Sequence, residues 1–121
     1  MRNYKDLLAW EKAHKLTLAV YKITFLFPKE EKYGLTSQIR RASASIAANL
    51  AEGCGRRSDG EMARYVQIAM GSGAELSYHF LLAKDLGFMQ SAEYEVLNAD
   101  VSEIMRMLSA LSGKLRNAAA A

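Results

Sequence analysis

Ser37 to Ser58 reads SQIRRASASIAANLAEGCGRRS, a stretch with helical spacing and almost no large side chains. With Leu35 ahead of it, Ile39, Ala42, Ile46, Asn49 and Gly53 recur at steps of four and three, the signature of one buried helical stripe. Ala42, Ser43, Ala44, Ser45, Ala47 and Ala48 leave the helix thin, so a neighbouring backbone can approach closely. Two arginine pairs, Arg40-Arg41 and Arg56-Arg57, give it a basic character that packing alone does not require.

Working outward, three more segments carry the same periodicity. Ala9, Ala13, Leu16, Val20, Ile23 and Phe27 mark the first; Met62, Val66, Ala69, Gly73, Leu76, Phe80 and Ala83 the third; Tyr94, Leu97, Val101, Ile104, Leu108, Leu111 and Leu115 the fourth. Pro28, Tyr33-Gly34, Gly53-Gly55 and Leu86-Phe88 supply the breaks. Ser58 followed three residues later by Glu61 is a capping box, in which side-chain oxygens satisfy open N–H groups at a helix start. The pattern predicts helices over roughly 5–26, 35–53, 59–86 and 91–116 in one domain, 1–121, with a frayed alanine tail. Short connections make consecutive helices antiparallel, so the expected fold is all-α, an up-down-up-down four-helix bundle. Gly71 and Gly73 sit inside the third helix, where each costs roughly 1 kcal/mol relative to alanine. The reading that fits is small residues of the third helix facing the thin second one; the competing reading is that Gly71-Ser72-Gly73 breaks the third helix into two.

At 121 residues the chain can bury a core without staples. Charges interrupt it too often for an 18-residue apolar span, and the N-terminus has no apolar run of signal-peptide length. Its one cysteine, Cys54, has no partner for a disulfide or thiolate metal site, so a cytosolic location is expected, without a membrane. The net charge of +3 is uneven: residues 1–57 hold 11 Lys/Arg against 5 Asp/Glu, residues 58–121 hold 5 against 8. Such asymmetry points to an acidic partner without naming it.

YGLTSQIRRASASIAANLAEG, together with WEKAHKLTLAVYKIT, FPKEEKYG and GEMARYVQIAMGSGAEL, resembles the four-helix-bundle family of proteins encoded in intervening sequences of bacterial 23S ribosomal RNA genes. The resemblance runs from about residue 4 to 115. It implies antiparallel bundles that assemble into homopentameric rings. A related branch, the accessory variability determinants of diversity-generating retroelements, binds nucleic acid and a reverse transcriptase. Most members of the family have no assigned biochemical activity.

Catalytic material is thin. Glu11 and His14 have the Glu-x-x-His spacing of di-iron bundles, but the second copy is missing, since Glu75 and His79 are four apart. No Walker lysine motif, Rossmann fingerprint or nucleophile elbow is present. No enzyme, metal or cofactor is therefore expected. Leu7, Trp10, Leu18, Tyr21 and Phe25 form a second apolar stripe on the first helix, a surplus that suits a subunit interface. The alternative is a stripe that widens the core. Asn49 at a seam position is assigned a structural role, either fixing helix register or reaching an open backbone group near Gly53.

In an up-down bundle, Arg2, Lys5, Arg56, Arg57, Arg64, Lys114 and Arg116 collect at one end against Asp6, Glu52, Asp59 and Glu61. Lys5, Lys12, Lys15 and Lys22 continue as a stripe along the first helix. Lys5, Lys12, Lys15, Arg56, Arg57 and Arg64 are thus the nucleic-acid candidates, while Arg40 and Arg41, expected to project outward, suit contacts between subunits. The sequence reading is a non-enzymatic homo-oligomer that presents a basic surface to RNA, DNA or a nucleic-acid-handling protein. An assembly scaffold that binds no nucleic acid is the alternative.

Overall fold

The computed structural model describes residues 2–120. Four α-helices follow one another: α1 (Leu8–Thr24), α2 (Leu35–Cys54), α3 (Asp59–Asp85) and α4 (Ser91–Ala120), with 3₁₀ turns at Tyr4–Asp6 and Lys29–Glu31. No strand occurs among the described residues.

Cross-helix contacts fix the directions. Thr24 meets Arg40, while Arg2 at the other end bonds the Cys54 carbonyl, so α1 and α2 run oppositely. Ser45 bonds Ser72, and Gly53 lies against Met62 and Tyr65, which makes α2 and α3 antiparallel. Gly73 faces Met105 and Ser77 bonds Asn98, giving the same relation for α3 and α4. Lys12 reaches Glu103 to close the square. The chain is an antiparallel four-helix bundle, as the periodicity predicts.

Helix ends follow local chemistry. Ser58 Oγ accepts from the Glu61 N–H at 3.1 Å, the serine half of the capping box, while the Glu61 carboxylate accepts from the Ser58 hydroxyl at 3.3 Å and not from its backbone N–H. At the C-terminus of α3, Gly87 has φ 81° and Phe88 N–H returns to the Ala83 carbonyl at 2.9 Å. That is a Schellman closure, and the left-handed position explains the glycine. The Met70–Leu76 segment is unbroken helix through both glycines.

Ile39, Ile46 and Leu50 of α2 meet Met62, Val66, Leu76 and Phe80 of α3 and Ile104 and Leu108 of α4 in a core that excludes solvent. Truncating one such leucine to alanine costs about 2–5 kcal/mol.

Three expectations need correction. Asn49 is only half-buried, because Leu50 takes the seam; its amide donates to the Ser45 carbonyl at 2.8 Å and the Ser45 hydroxyl at 3.0 Å, tying it to the Ser45–Ser72 pair instead of to Gly53. Gly73 does not face α2: a Cβ there would come within 2.5 Å of Met105 Sδ on α4, and Gly71 is exposed with nothing within 4 Å. The close approach of α2 and α3 depends on Gly53, where a Cβ would lie 3.0 Å from Tyr65 Cβ. Last, the alanine tail, expected to fray, continues α4 to Ala120 with Ala119 beside Gly60 of α3, as alanine's helix propensity favours; residue 121 lies outside the described residues.

Candidate functional site

The apolar stripe of α1 divides in two. Leu7 and Trp10 are half-buried against the core, and Trp10 sits edge-on to Tyr4 at 4.9 Å and stacks on His14 at 5.1 Å between ring centroids. Leu18, Tyr21 and Phe25 instead remain exposed, at 54%, 47% and 81%. Leu26 and Tyr33 join them at 82% and 88%, although the seam pattern had not singled them out. Their signal was position: both stand at the α1–α2 connection, where no helix remains to cover them.

Each arginine pair is also divided. Arg40 does not project outward. Its Nε donates to Thr24 Oγ1 at 2.8 Å, a terminal nitrogen donates to the Tyr21 carbonyl at 3.3 Å, and the guanidinium lies 4.6 Å from the Tyr21 ring centre. The Tyr21 carbonyl already accepts the Phe25 N–H at 3.2 Å, so Arg40 adds a second bond there, and as a cation at a helix C-terminus it suits the dipole and fastens the end of α1. Arg41 is exposed and lines a groove of about 480 Å³ with Gln38, Ser45, Ser72 and Glu75.

At the other end, Arg56 bonds Glu52 at 2.8 Å and the Tyr65 hydroxyl at 2.7 Å, with its guanidinium 4.8 Å over the Tyr65 ring. Arg2 bonds Asp59 at 2.8 Å and reaches Met62 Sδ. Arg57, Arg64, Lys5, Lys114 and Arg116 are exposed and form no ion pair among the described residues. That end thus keeps a set of open cations after its internal pairs are made.

The lysine stripe is partly neutralised. Lys15 pairs with Glu11 at 3.0 Å and Lys12 with Glu103 at 2.7 Å. The Glu103 hydrogen bond raises the Lys12 pKa, and the reciprocal bond lowers that of Glu103. Asp100 nearby is pushed up by desolvation beside Leu16, Ala19 and Ile104, with Glu103 adding repulsion. Burial likewise raises the Cys54 thiol, against a smaller opposing effect of Arg2, so Cys54 is a small core residue and not an activated nucleophile. Among the described residues no cluster of three or more His, Cys, Asp or Glu side chains could hold a metal. No helix is long and apolar enough to cross a membrane.

The sequence profile of the family described as 23S rRNA-intervening sequence protein matches residues 5–110. The chain belongs to that family. Among solved structures, the four-helix fold is similar to that of a protein of unknown function from the S23 ribosomal protein family of Bacteroides thetaiotaomicron VPI-5482. The TM-score is 0.81 at 22% identity, covering 88% of this chain and 96% of that one. At that identity the likeness concerns the fold. No curated protein matches the chain.

Proposed function

We propose that this member of the 23S rRNA-intervening sequence family is a non-enzymatic cytosolic assembly protein whose subunits form a homo-oligomeric ring, five copies being the number that the family resemblance implies. The exposed apolar face of α1 and its end supports assembly: Leu18 and Tyr21, with Phe25 and Leu26 just past the helix, project outward while the inner face is already packed. A monomer gains nothing by holding that surface in water.

The ring presents its basic end to nucleic acid. The observation that carries this reading is the set of open cations, Lys5, Arg57, Arg64, Lys114 and Arg116, gathered where α1 and α3 begin and α2 and α4 end. A cyclic arrangement repeats the set around its axis, so several subunits can contact phosphates of one strand or duplex. Such binding is largely sequence-independent and falls steeply with salt, because each neutralised phosphate releases counterion.

Fluorescence anisotropy with single- and double-stranded oligonucleotides tests it. Binding at low salt, weakened by Arg57→Ala with Arg64→Ala and accompanied by a flatter salt slope, is the expected result. Absence of binding at about 50 mM salt would leave the scaffold reading. One observation favours that rival: Arg2, Arg40 and Arg56 are already engaged within the subunit.

A further inference from the structure

The groove of about 480 Å³ between α2 and α3 has small residues at its base and charge at its rims. Ala42 is buried and Ser45 and Ser72 are half-buried, whereas Gln38 and Arg41 on α2 and Glu75 on α3 are exposed. Opposite charges that meet across elements elsewhere in the subunit close directly. Lys12 reaches Glu103 at 2.7 Å between α1 and α4, and Arg2 reaches Asp59 at 2.8 Å. Arg41 and Glu75 line one groove yet form no ion pair among the described residues. Neither charge is offset by its neighbours. Within one turn along its own helix Glu75 has no other Lys, Arg, Asp or Glu, and Arg41 has only Arg40, whose guanidinium is turned to the end of α1.

The base of the groove adds a spare donor. Asn49 donates to Ser45 Oγ at 3.0 Å, and Ser45 Oγ lies 2.9 Å from Ser72 Oγ. Two hydroxyls carry two hydrogens and this contact uses one of them. Whichever serine donates, the other hydroxyl hydrogen has no acceptor among the described residues. One rim therefore offers guanidinium N–H groups, the base offers an O–H, and the opposite rim offers only carboxylate acceptors.

We propose that this groove binds a small zwitterion of the amino-acid class, its carboxylate received by Arg41 and the spare serine hydroxyl and its ammonium by Glu75. A guanidinium holds a carboxylate through two parallel N–H···O bonds, and an ammonium donates to the carboxylate of the facing rim. A phosphate dianion gains Arg41 but meets Glu75, and a diamine meets the reverse. The opposed rims thus select a ligand that carries both charges. Neither assembly nor nucleic-acid binding enters this recognition.

Ligand-detected saturation-transfer NMR on the full chain provides the test. Glycine, β-alanine and γ-aminobutyrate serve as zwitterions of increasing charge separation, with propionate and ethylammonium as single-charge controls. At least one zwitterion should bind with a Kd of about 0.1–10 mM, the range open to so small a ligand, and at least about tenfold more tightly than either control. Arg41→Gln and Glu75→Gln should each weaken that binding at least about tenfold, and Ser72→Ala by less, with helicity by circular dichroism unchanged. Propionate bound as tightly as the zwitterions would make the groove a simple anion site and overturn the proposal. Absence of saturation transfer from all three zwitterions at about 20 mM, or an affinity unchanged in both glutamine variants, would overturn it as well.

Discussion

Gly53 of α2 is buried where a Cβ would lie 3.0 Å from Tyr65 Cβ, and Gly73 of α3 is buried against Met105, whereas Phe25 and Leu26 at the end of α1 are 81% and 82% exposed. Both regions depart from what an isolated helix would choose. On the α2–α3–α4 side the departure is resolved within the subunit, because a neighbouring helix occupies the space that each glycine opens. On the outer face of α1 nothing in the subunit resolves it. Unusual residues of the first kind report on folding, and under the proposed assembly those of the second kind report on the subunit contact.

Separating the two readouts sharpens this contrast. Phe25→Ser with Tyr21→Ser should have the largest effect on assembly: removing two aromatic anchors costs on the order of 2–4 kcal/mol of association. Light scattering should show dissociation at concentrations where the parent assembles. Phe25 contributes little to monomer stability because it is mostly in water, although losing the Tyr21 ring removes the face beneath Arg40.

Gly53→Leu should do the reverse. Overpacking against Tyr65 Cβ and the Met62 carbonyl costs about 3 kcal/mol of folding stability, read from denaturant midpoints. Gly73→Ala should cost less, since the obstruction is the flexible Met105 side chain. An unchanged midpoint for Gly53→Leu would break the contrast on its folded side.

Gly71→Ala should stabilise the subunit by up to about 1 kcal/mol, because a Cβ there meets nothing within 4 Å and alanine is the better helix former. Loss of assembly in this variant would extend the interface onto α3.

The smallest expected effect is Asp100→Asn. With its carboxyl raised above the ordinary value, the folded state binds the proton more tightly than the unfolded chain, so stability falls as pH rises through the folded pKa. The amide should therefore stabilise at neutral pH, with the gain vanishing in acid. Glu103 has the opposite sign, and Glu103→Gln should lose stability at neutral pH that the parent loses only as pH falls through the lowered pKa.

The helices and the Ser58 cap were legible in the sequence because spacing and local hydrogen bonding set them. Leu35, Ile39, Ala42 and Ile46 are buried as their spacing requires. Asn49 and Leu50 were not separable, since adjacent residues at a stripe's edge differ only in which neighbour they meet. Arg40 was misread as outward-facing for a similar reason: a long side chain can turn back to a helix end that lies distant in sequence.

The most direct test of the central claim is the mass of the unmodified protein in solution, by light scattering at micromolar concentration. Assembly through the α1 face predicts a multiple of the 13.4 kDa subunit, five copies being the expected number. A mass equal to one 13.4 kDa subunit would contradict it.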